Sequence, residues 1–452
     1  MKLIKSILLG AATGLVGVAV AHAADLPRRT KGPAVQYVRI CDTYGAGFFY
    51  VPGSSDTCIH VGGFVRTDYD VFNTRNLLPY PVGAVIPAGA QNADAFSGRF
   101  QVQLDVRTAT EYGVLRAFGA GDFNYGAGLG TQGTPVAAPG GTGFAEKAFI
   151  QFGGLTAGLA TSFYDFYIYG ADDYLSVHSS YSPIGLLAYT ATFGGGFSAT
   201  LSMEDPRARA EGFLNAFGPA PAPTPAGQRW PDLVANLRVD QGWGSAQLSG
   251  AIHEGQILSL AGVAGTNTTE TGFAILGGLK INLPMLAAGD ALYFEAAYAD
   301  GATGYLGYSG FSMGPATQPG ASIAYPTVDG VVLGGGAAGA TVHKTKGFEG
   351  LVALRHYWTP TFFTAGIVGY ADLHEDAAVR ALAPGVNGGL GNFNEWRFGI
   401  TNEWVPVAGF SIGVEVEYAR VHLTLPGGAV APVGFSTNYG TWHGKLRLQR
   451  NF

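Results

Sequence analysis

Apolar and polar side chains alternate along much of this chain. In the C-terminal run GTWHGKLRLQRNF, residues 440–452, one set reads Thr441, His443, Lys445, Arg447, Gln449 and Asn451. The set between them reads Trp442, Gly444, Leu446, Leu448, Arg450 and Phe452. A period of two belongs to a strand, whose successive side chains leave opposite faces of the pleat. The same pattern recurs in FQVQLDVRT (100–108), EWRFGITNEW (395–404) and FSIGVEVEY (410–418), and in each run the charges keep to one face.

About sixteen such strands can be drawn between 59–72 and 440–452, most of them about ten residues long, the length a tilted strand needs to cross hydrocarbon. Very short turns join them in pairs, as at TEYG (110–113), GG (153–154) and VPVAG (405–409). Long connections rich in Gly, Pro, Ala and Ser separate the pairs, among them 163–183, 205–230 and 301–345. Short and long strictly alternate. An even strand count, with short periplasmic turns on one rim and long extracellular loops on the other, is the pattern of an all-β transmembrane antiparallel up-and-down β-barrel. A half-buried soluble sheet also alternates along each strand, but it gives no reason for that asymmetry.

Two details fit a lipid-facing wall. Arg450, the one charge in the apolar set, falls near the periplasmic headgroups, whereas at the midplane it would cost about 2–4 kcal/mol. Tyr69, Trp243, Trp358, Trp404 and Trp442 near strand ends suit interfacial girdles, and each equally suits simple packing on a neighbour. For the 301–345 connection, with GVVLGGGAAGATV at its heart, a strand pair, a neighbour contact and an oligomer latch stay open.

Composition narrows the class. Charged residues make up 13% of the chain, against about 25% in an ordinary soluble domain. No apolar run after residue 23 is long enough for a spanning helix, so a membrane location requires a closed barrel, the other way to satisfy every backbone polar group in hydrocarbon. Residues 1–23 carry Lys2 and Lys5, an apolar run and Ala21-His22-Ala23, the layout of a secretory signal peptide with a small-residue cleavage site. Its removal takes the formal charge from −6 to −8, two lysines being lost. Residues 24–57 form an N-terminal segment and 58–452 the barrel. Cys41 and Cys58, the two cysteines, read as a disulfide in an exported protein rather than a metal site.

A barrel of sixteen strands is too wide for side chains to fill and leaves an aqueous channel. The inward sets carry both signs, including Arg66, Asp105, Arg107, Arg238, Glu295, Arg355, Glu395, Lys445 and Arg447, and charge on a pore wall sorts solutes by sign and size without chemistry. The nine histidines are scattered with no accompanying nucleophile and acid, and the glycine cluster GAGLGTQG lies in a long loop rather than between a strand and a helix. No enzyme activity, cofactor, metal or nucleic-acid partner is expected. The segment YDFYIYGADDYLSVHSSYSP (164–183) gathers Asp165, Asp172 and Asp173 among tyrosines; from its residues alone it is either an exposed acidic tip or an inward-folded loop.

The mature start ADLP, the segment CDTYGAGFFYVPGSSDTCIHVGGFVR, the run FIQFGGLTAGLATSFYDF and the terminal Phe452 resemble the alphaproteobacterial general porins of the rhizobial type, over essentially the whole mature chain. The resemblance implies a homotrimer of sixteen-stranded barrels in the outer membrane of a Gram-negative bacterium, passing small hydrophilic solutes and ions by diffusion. It implies that Phe452 and its strand are read by the barrel-insertion machinery. It also implies that the third long loop, 163–183, folds into the pore, with Asp165, Asp172 and Asp173 as constriction acids. Opposing basic residues are assigned by alternation to Arg66, Arg107, Arg238 and Arg355, with Lys445 and Arg447 on the terminal strand. A substrate-specific channel and an adhesin are the competing functions.

Overall fold

Alternating runs of this kind bury nothing by themselves; they must pair edge to edge until no edge is left. A computed structural model describes residues 39–72, 94–126, 142–168, 173–174, 179–215, 229–257, 268–308, 327–333, 341–382, 391–426 and 437–452. The expected signal peptide of 1–23 and Asp172 lie outside the described residues. Sixteen antiparallel strands close into a barrel. They are β1 (Thr57–Phe72), β2 (Asp94–Thr110), β3 (Gly113–Gly126), β4 (Thr142–Phe152), β5 (Leu155–Thr161), β6 (Pro183–Gly194), β7 (Phe197–Glu204) and β8 (Asp232–Gln241). They continue as β9 (Gly244–Ile257), β10 (Thr268–Asn282), β11 (Ala291–Asp300), β12 (Lys346–Thr359), β13 (Phe362–His374), β14 (Phe393–Val407), β15 (Phe410–Leu423) and β16 (Asn438–Asn451).

Each strand pairs with its sequence neighbours, and β16 returns to β1 with Asn451 opposite Phe64 and His443 opposite Phe72. Salt bridges reinforce this seam on the inner face. Arg447 forks onto Asp68 through Nε and Nη2, both at 2.8 Å, and Lys445 Nζ lies 3.1 Å from Asp70. Below the seam β1 runs on beyond the chain terminus. Its otherwise open edge there is covered by a short strand, Phe48–Tyr50, that the Cys41–Cys58 disulfide ties back. Gly63 sits where the two halves of β1 meet, at φ +156°; its amide and carbonyl bond the carbonyl and amide of Phe452, and a Cβ would run into the Gln101 carbonyl and the Phe452 ring.

The two faces differ in polarity as the alternation requires. Leu201, Leu237, Leu248, Ile252 and Ile400 stand exposed on the outer surface, while Glu295, Glu395, Arg397, Glu415, Lys445 and Arg447 are buried on the inner one. Trp243, Trp358, Trp404 and Trp442 are all exposed near strand ends. Arg450 also faces out at the short-turn rim, where Nη1 donates to the Ala408 carbonyl at 2.8 Å.

The interior departs from a plain tube. The connection 301–345 holds a 3-10 turn (Thr303–Leu306) and a strand pair, Gly330–Leu333 with Thr341–Lys344, and Phe213–Asn215 from the connection after β7 adds in parallel. Its inner part is buried: Val331 and Leu214 of the small sheet and Tyr305 and Leu306 of the turn pack with inward Val234 and Leu276 of the wall in one apolar cluster. Of the three readings open for this segment, the strand pair is the one observed, folded against the inside of the wall.

Leu237, at the centre of β8, should tolerate no charge. We expect Leu237→Arg to destabilise the barrel by about 2–4 kcal/mol in a phospholipid bilayer, read as a lowered denaturant midpoint; an unchanged midpoint would show that this face meets water.

Candidate functional site

The loop after β5 turns inward at once because its first residues are bonded to the wall. Ser162 Oγ and the Phe163 amide donate to the two oxygens of Glu204, at 2.6 and 3.0 Å. Asn236 Nδ2 donates to the Phe163 carbonyl at 2.6 Å, and Gln247 Nε2 to the carbonyls of Tyr164 and Asp165 at 3.2 and 3.1 Å. Buried backbone groups without water must find such partners. Glycine on the wall makes room: a side chain at Gly278 of β10 would strike the Phe166 ring.

Farther along, the Tyr167 amide donates to Glu295 at 2.7 Å, and the Tyr167 ring packs against Leu351, Ala353 and Ile367. Its hydroxyl donates to Asp173 at 2.9 Å. The tip reaches the far wall, where the Tyr174 amide donates to Glu415 and its hydroxyl to Glu403, while the Arg447 guanidinium lies 4.5 Å over its ring. Burial first, and the Glu403 carboxylate second, push the Tyr174 phenol well above the ordinary tyrosine range, so it stays a donor. The described contacts of the loop thus run along the wall from β7 to β16.

Arg209 fastens the base of this loop to the rest of the interior. Fully buried, it pairs with Asp165 at 2.7 Å and donates to the Ser180 carbonyl at 2.9 Å, with its guanidinium 4.5 Å from the Tyr305 ring centre. Burial works against its charge, but Asp165, then Tyr305 and Glu204, outweigh that and raise its pKa. One cation therefore links the loop after β5, the connection after β7 and the 301–345 segment.

In a sixteen-strand cylinder β2–β4 stand across from β10–β12. There Asp105 accepts from Arg107 (3.0 and 2.7 Å) and from Arg116 (2.9 and 3.0 Å). Arg99 pairs with Asp122 at 2.8 Å and lies 3.6 Å from Glu146. Arg116 also rests over the stacked rings of Phe118 and Phe149, which holds a long cation in one place.

The residues singled out from the sequence separate into groups. Asp173, Arg66, Arg355 and Arg447 meet around one cavity of about 300 Å³ on the short-turn side of the loop tip. Lys445 lies in the β1–β16 seam beside Arg447. Arg238 on β8 forks onto Asp240 and lies 5.5 Å from the Phe166 ring centre, beneath the loop. Arg107 joins the β2–β3 group. Asp165 faces Arg209, a loop residue, rather than a wall arginine. Sequence reasoning missed Arg99 and Arg116, although Arg99 continues the inward register of FQVQLDVRT by one step toward the N-terminus. It missed Arg209 because a residue in an irregular connection leaves no periodic trace.

The profile of the family described as Porin subfamily matches residues 25–431. Porin Omp2b of Brucella suis is 36% identical over 248 residues, 54% of this chain and 64% of that protein. Porin Omp2b of Brucella canis is 35% identical over the same length. The chain thus spans 64% of the length of these curated relatives. Among solved structures, the outer membrane channel DcaP of Acinetobacter baumannii aligns with a TM-score of 0.57 at 14% identity, covering 88% of this chain and 99% of that one. At that identity the likeness is one of fold.

Removing Arg209 strands a buried carboxylate. Arg209→Met should lower stability by about 3–5 kcal/mol and expose Tyr167 and Tyr174 to chymotrypsin, and adding Asp165→Asn should recover part of the loss. Unfolding midpoints and cleavage rates check this; unchanged cleavage of the single variant would mean that Arg209 does not hold the loop.

Proposed function

We propose, for a chain that belongs to the Porin subfamily, that it forms a water-filled channel across a bacterial outer membrane through which small hydrophilic solutes and ions diffuse passively. The observation that carries this reading is the inversion of polarity across a closed wall, apolar outside and ionic inside. A soluble barrel has no use for an apolar exterior of this extent, whereas a bilayer requires it. The ionic interior is matched to water and to solutes that carry charge or hydroxyls.

Within that channel the inward loop acts as the constriction, contributing Asp165, Asp172 and Asp173, and Arg66, Arg107, Arg238, Arg355, Lys445 and Arg447 act as basic wall residues. Carboxylates on the loop with guanidinium groups on the wall set up a transverse field that orients dipolar solutes and admits ions of either sign. No bond is made or broken. Asp165 works differently from the other two acids, since its ion pair with buried Arg209 spends its charge on holding the loop.

The chain is also proposed to act as a homotrimer, inserted by the barrel-assembly machinery through a signal that includes Phe452. Strand length supports the oligomer: β5 has 7 residues and β7 has 8, fewer than the 9–11 or so that cross hydrocarbon. A wall this short is better covered by another copy than by lipid.

Reconstitution in a planar bilayer tests the channel directly. An ohmic conductance is expected, and Asp172→Asn with Asp173→Asn should shift the reversal potential in a KCl gradient toward anion preference. A silent bilayer contradicts the channel, and selectivity unaltered by the double variant puts these two acids outside the ion path.

A further inference from the structure

The outer face of the wall carries one charge that nothing among the described residues answers. Arg420 lies on β15 between inward Ala419 and Val421, exposed on the lipid side and three residues before the strand ends at Leu423 on the long-loop rim. Among the described residues it makes no hydrogen bond, ion pair or ring contact. Neither neighbouring strand, β14 or β16, turns an acid outward. Asp372, outward on β13, is taken by the Tyr370 hydroxyl at 2.9 Å and by His374 at 3.0 Å. Arg450, outward at the opposite rim, differs in having the Ala408 carbonyl as acceptor. Two aromatic pairs flank Arg420: Tyr370 with Trp396, ring centres 4.5 Å apart, and Tyr418 with Trp442, 4.7 Å apart. Such rings mark headgroup depth, where a cation on the lipid face meets phosphates.

Beside Trp396 the same face is hollow. Gly277 of β10, Ala296 of β11 and Gly350 of β12 stand opposite one another in register, and the row continues through Tyr370 and Trp396 to Arg420. The result is a groove of about 550 Å³, walled by Phe294, Val352, Val368 and Trp396. Its course is inclined to the rim. Trp396 is three residues from the long-loop end of β14 at Phe393, whereas Gly277 is nine residues from that of β10 at Thr268. The groove therefore leads from headgroup depth beside Arg420 down into hydrocarbon. One step nearer the rim, Asn394, His422 and Asn438 form an outward row of neutral polar groups.

We infer that this face holds one phosphorylated lipid of the outer leaflet, with its phosphate on Arg420 and an acyl chain in the groove beyond Trp396. Charge complementarity selects the headgroup, since a guanidinium takes a phosphate in a fork. The apolar walls select the chain, and the incline of the groove lets a single molecule reach both. A second copy of the protein is not the expected occupant, because the short strands β5 and β7 lie on the other side of the cylinder. The site belongs to the wall and owes nothing to the solute path.

Native mass spectrometry of the full mature protein released from detergent micelles reads both lipid retention and subunit count. The probes are phosphatidic acid and phosphatidylcholine with the same acyl chains. One phosphatidic acid per chain is expected, held about fivefold more tightly than phosphatidylcholine. Arg420→Gln should abolish that preference and Arg420→Lys should keep it, which separates loss of charge from loss of fold. Ala296→Leu, which fills the groove, should weaken both lipids alike. Phosphatidic acid held no better than phosphatidylcholine, or held equally by Arg420→Gln, overturns the site. Displacement by an equal concentration of inorganic phosphate would show a free-anion site and overturn the lipid, as would an Ala296→Leu variant that changes the subunit count and leaves lipid retention intact, since another copy would then fill the groove. Conductance measured in parallel keeps the claims apart: lipid retention with a silent bilayer refutes the channel and leaves this site standing, and an ohmic pore without the lipid preference refutes the site alone.

Discussion

The pairing of the last strand with the first is the constraint on which the rest depends. Inside hydrocarbon each unpaired backbone amide or carbonyl costs several kcal/mol, so a sheet of this size is admissible only when β16 returns to β1. Nine register pairs, from Phe64–Asn451 to Phe72–His443, make that closure, and Asp68 and Asp70 facing Lys445 and Arg447 favour this register over its neighbours, since a slip by one residue would turn those charges toward lipid. The Cys41–Cys58 hairpin answers the same demand at the rim: β1 is longer than the seam, and Phe48–Tyr50 pairs with the part that β16 does not reach.

Closure makes a tube, and the folded-in connections occupy part of its interior. Among the described residues three chain segments use the interior, the third being the connection after β7 that carries Arg209 and Phe213–Asn215. The loop after β5 follows the wall from Asn236 to Arg447, and the 301–345 segment builds a small apolar core with the inner faces of the wall. Arg209 sits where they meet. Its buried charge is worth having only because three elements supply partners at once, and this makes the position of the loop a property of the whole interior rather than of the loop.

The wall was legible in the sequence because a two-sided strand between unlike solvents leaves a period of two that survives every local exception. Arg450 is such an exception, and the Ala408 carbonyl at the rim accounts for it. Turns and long loops were legible for a similar reason, as glycine and proline punctuate them. The interior was not. GVVLGGGAAGATV opens on a strand whose Val331 and Val332 are buried inside the barrel, yet an apolar stretch in a membrane protein reads equally as an outward contact. Asp165 and Asp173 stand only a few residues apart and do different work, the one neutralised by Arg209 and the other at the cavity with Arg66 and Arg355. That division depends on partners dozens to hundreds of residues away, which no local pattern encodes.

Each strand of the wall turns one face to lipid and the other to water. Because the chain's two cysteines are tied to each other, an introduced cysteine is the sole free thiol, and neighbouring positions across the seam can be probed one at a time in liposomes with a water-soluble thiol reagent. Arg66→Cys and Gln449→Cys, on the inner face, should react readily; Val65→Cys and Leu448→Cys, one residue away on the outer face, should not. Equal reactivity at all four positions, or the reverse order, would contradict a barrel that is wet within and oily without.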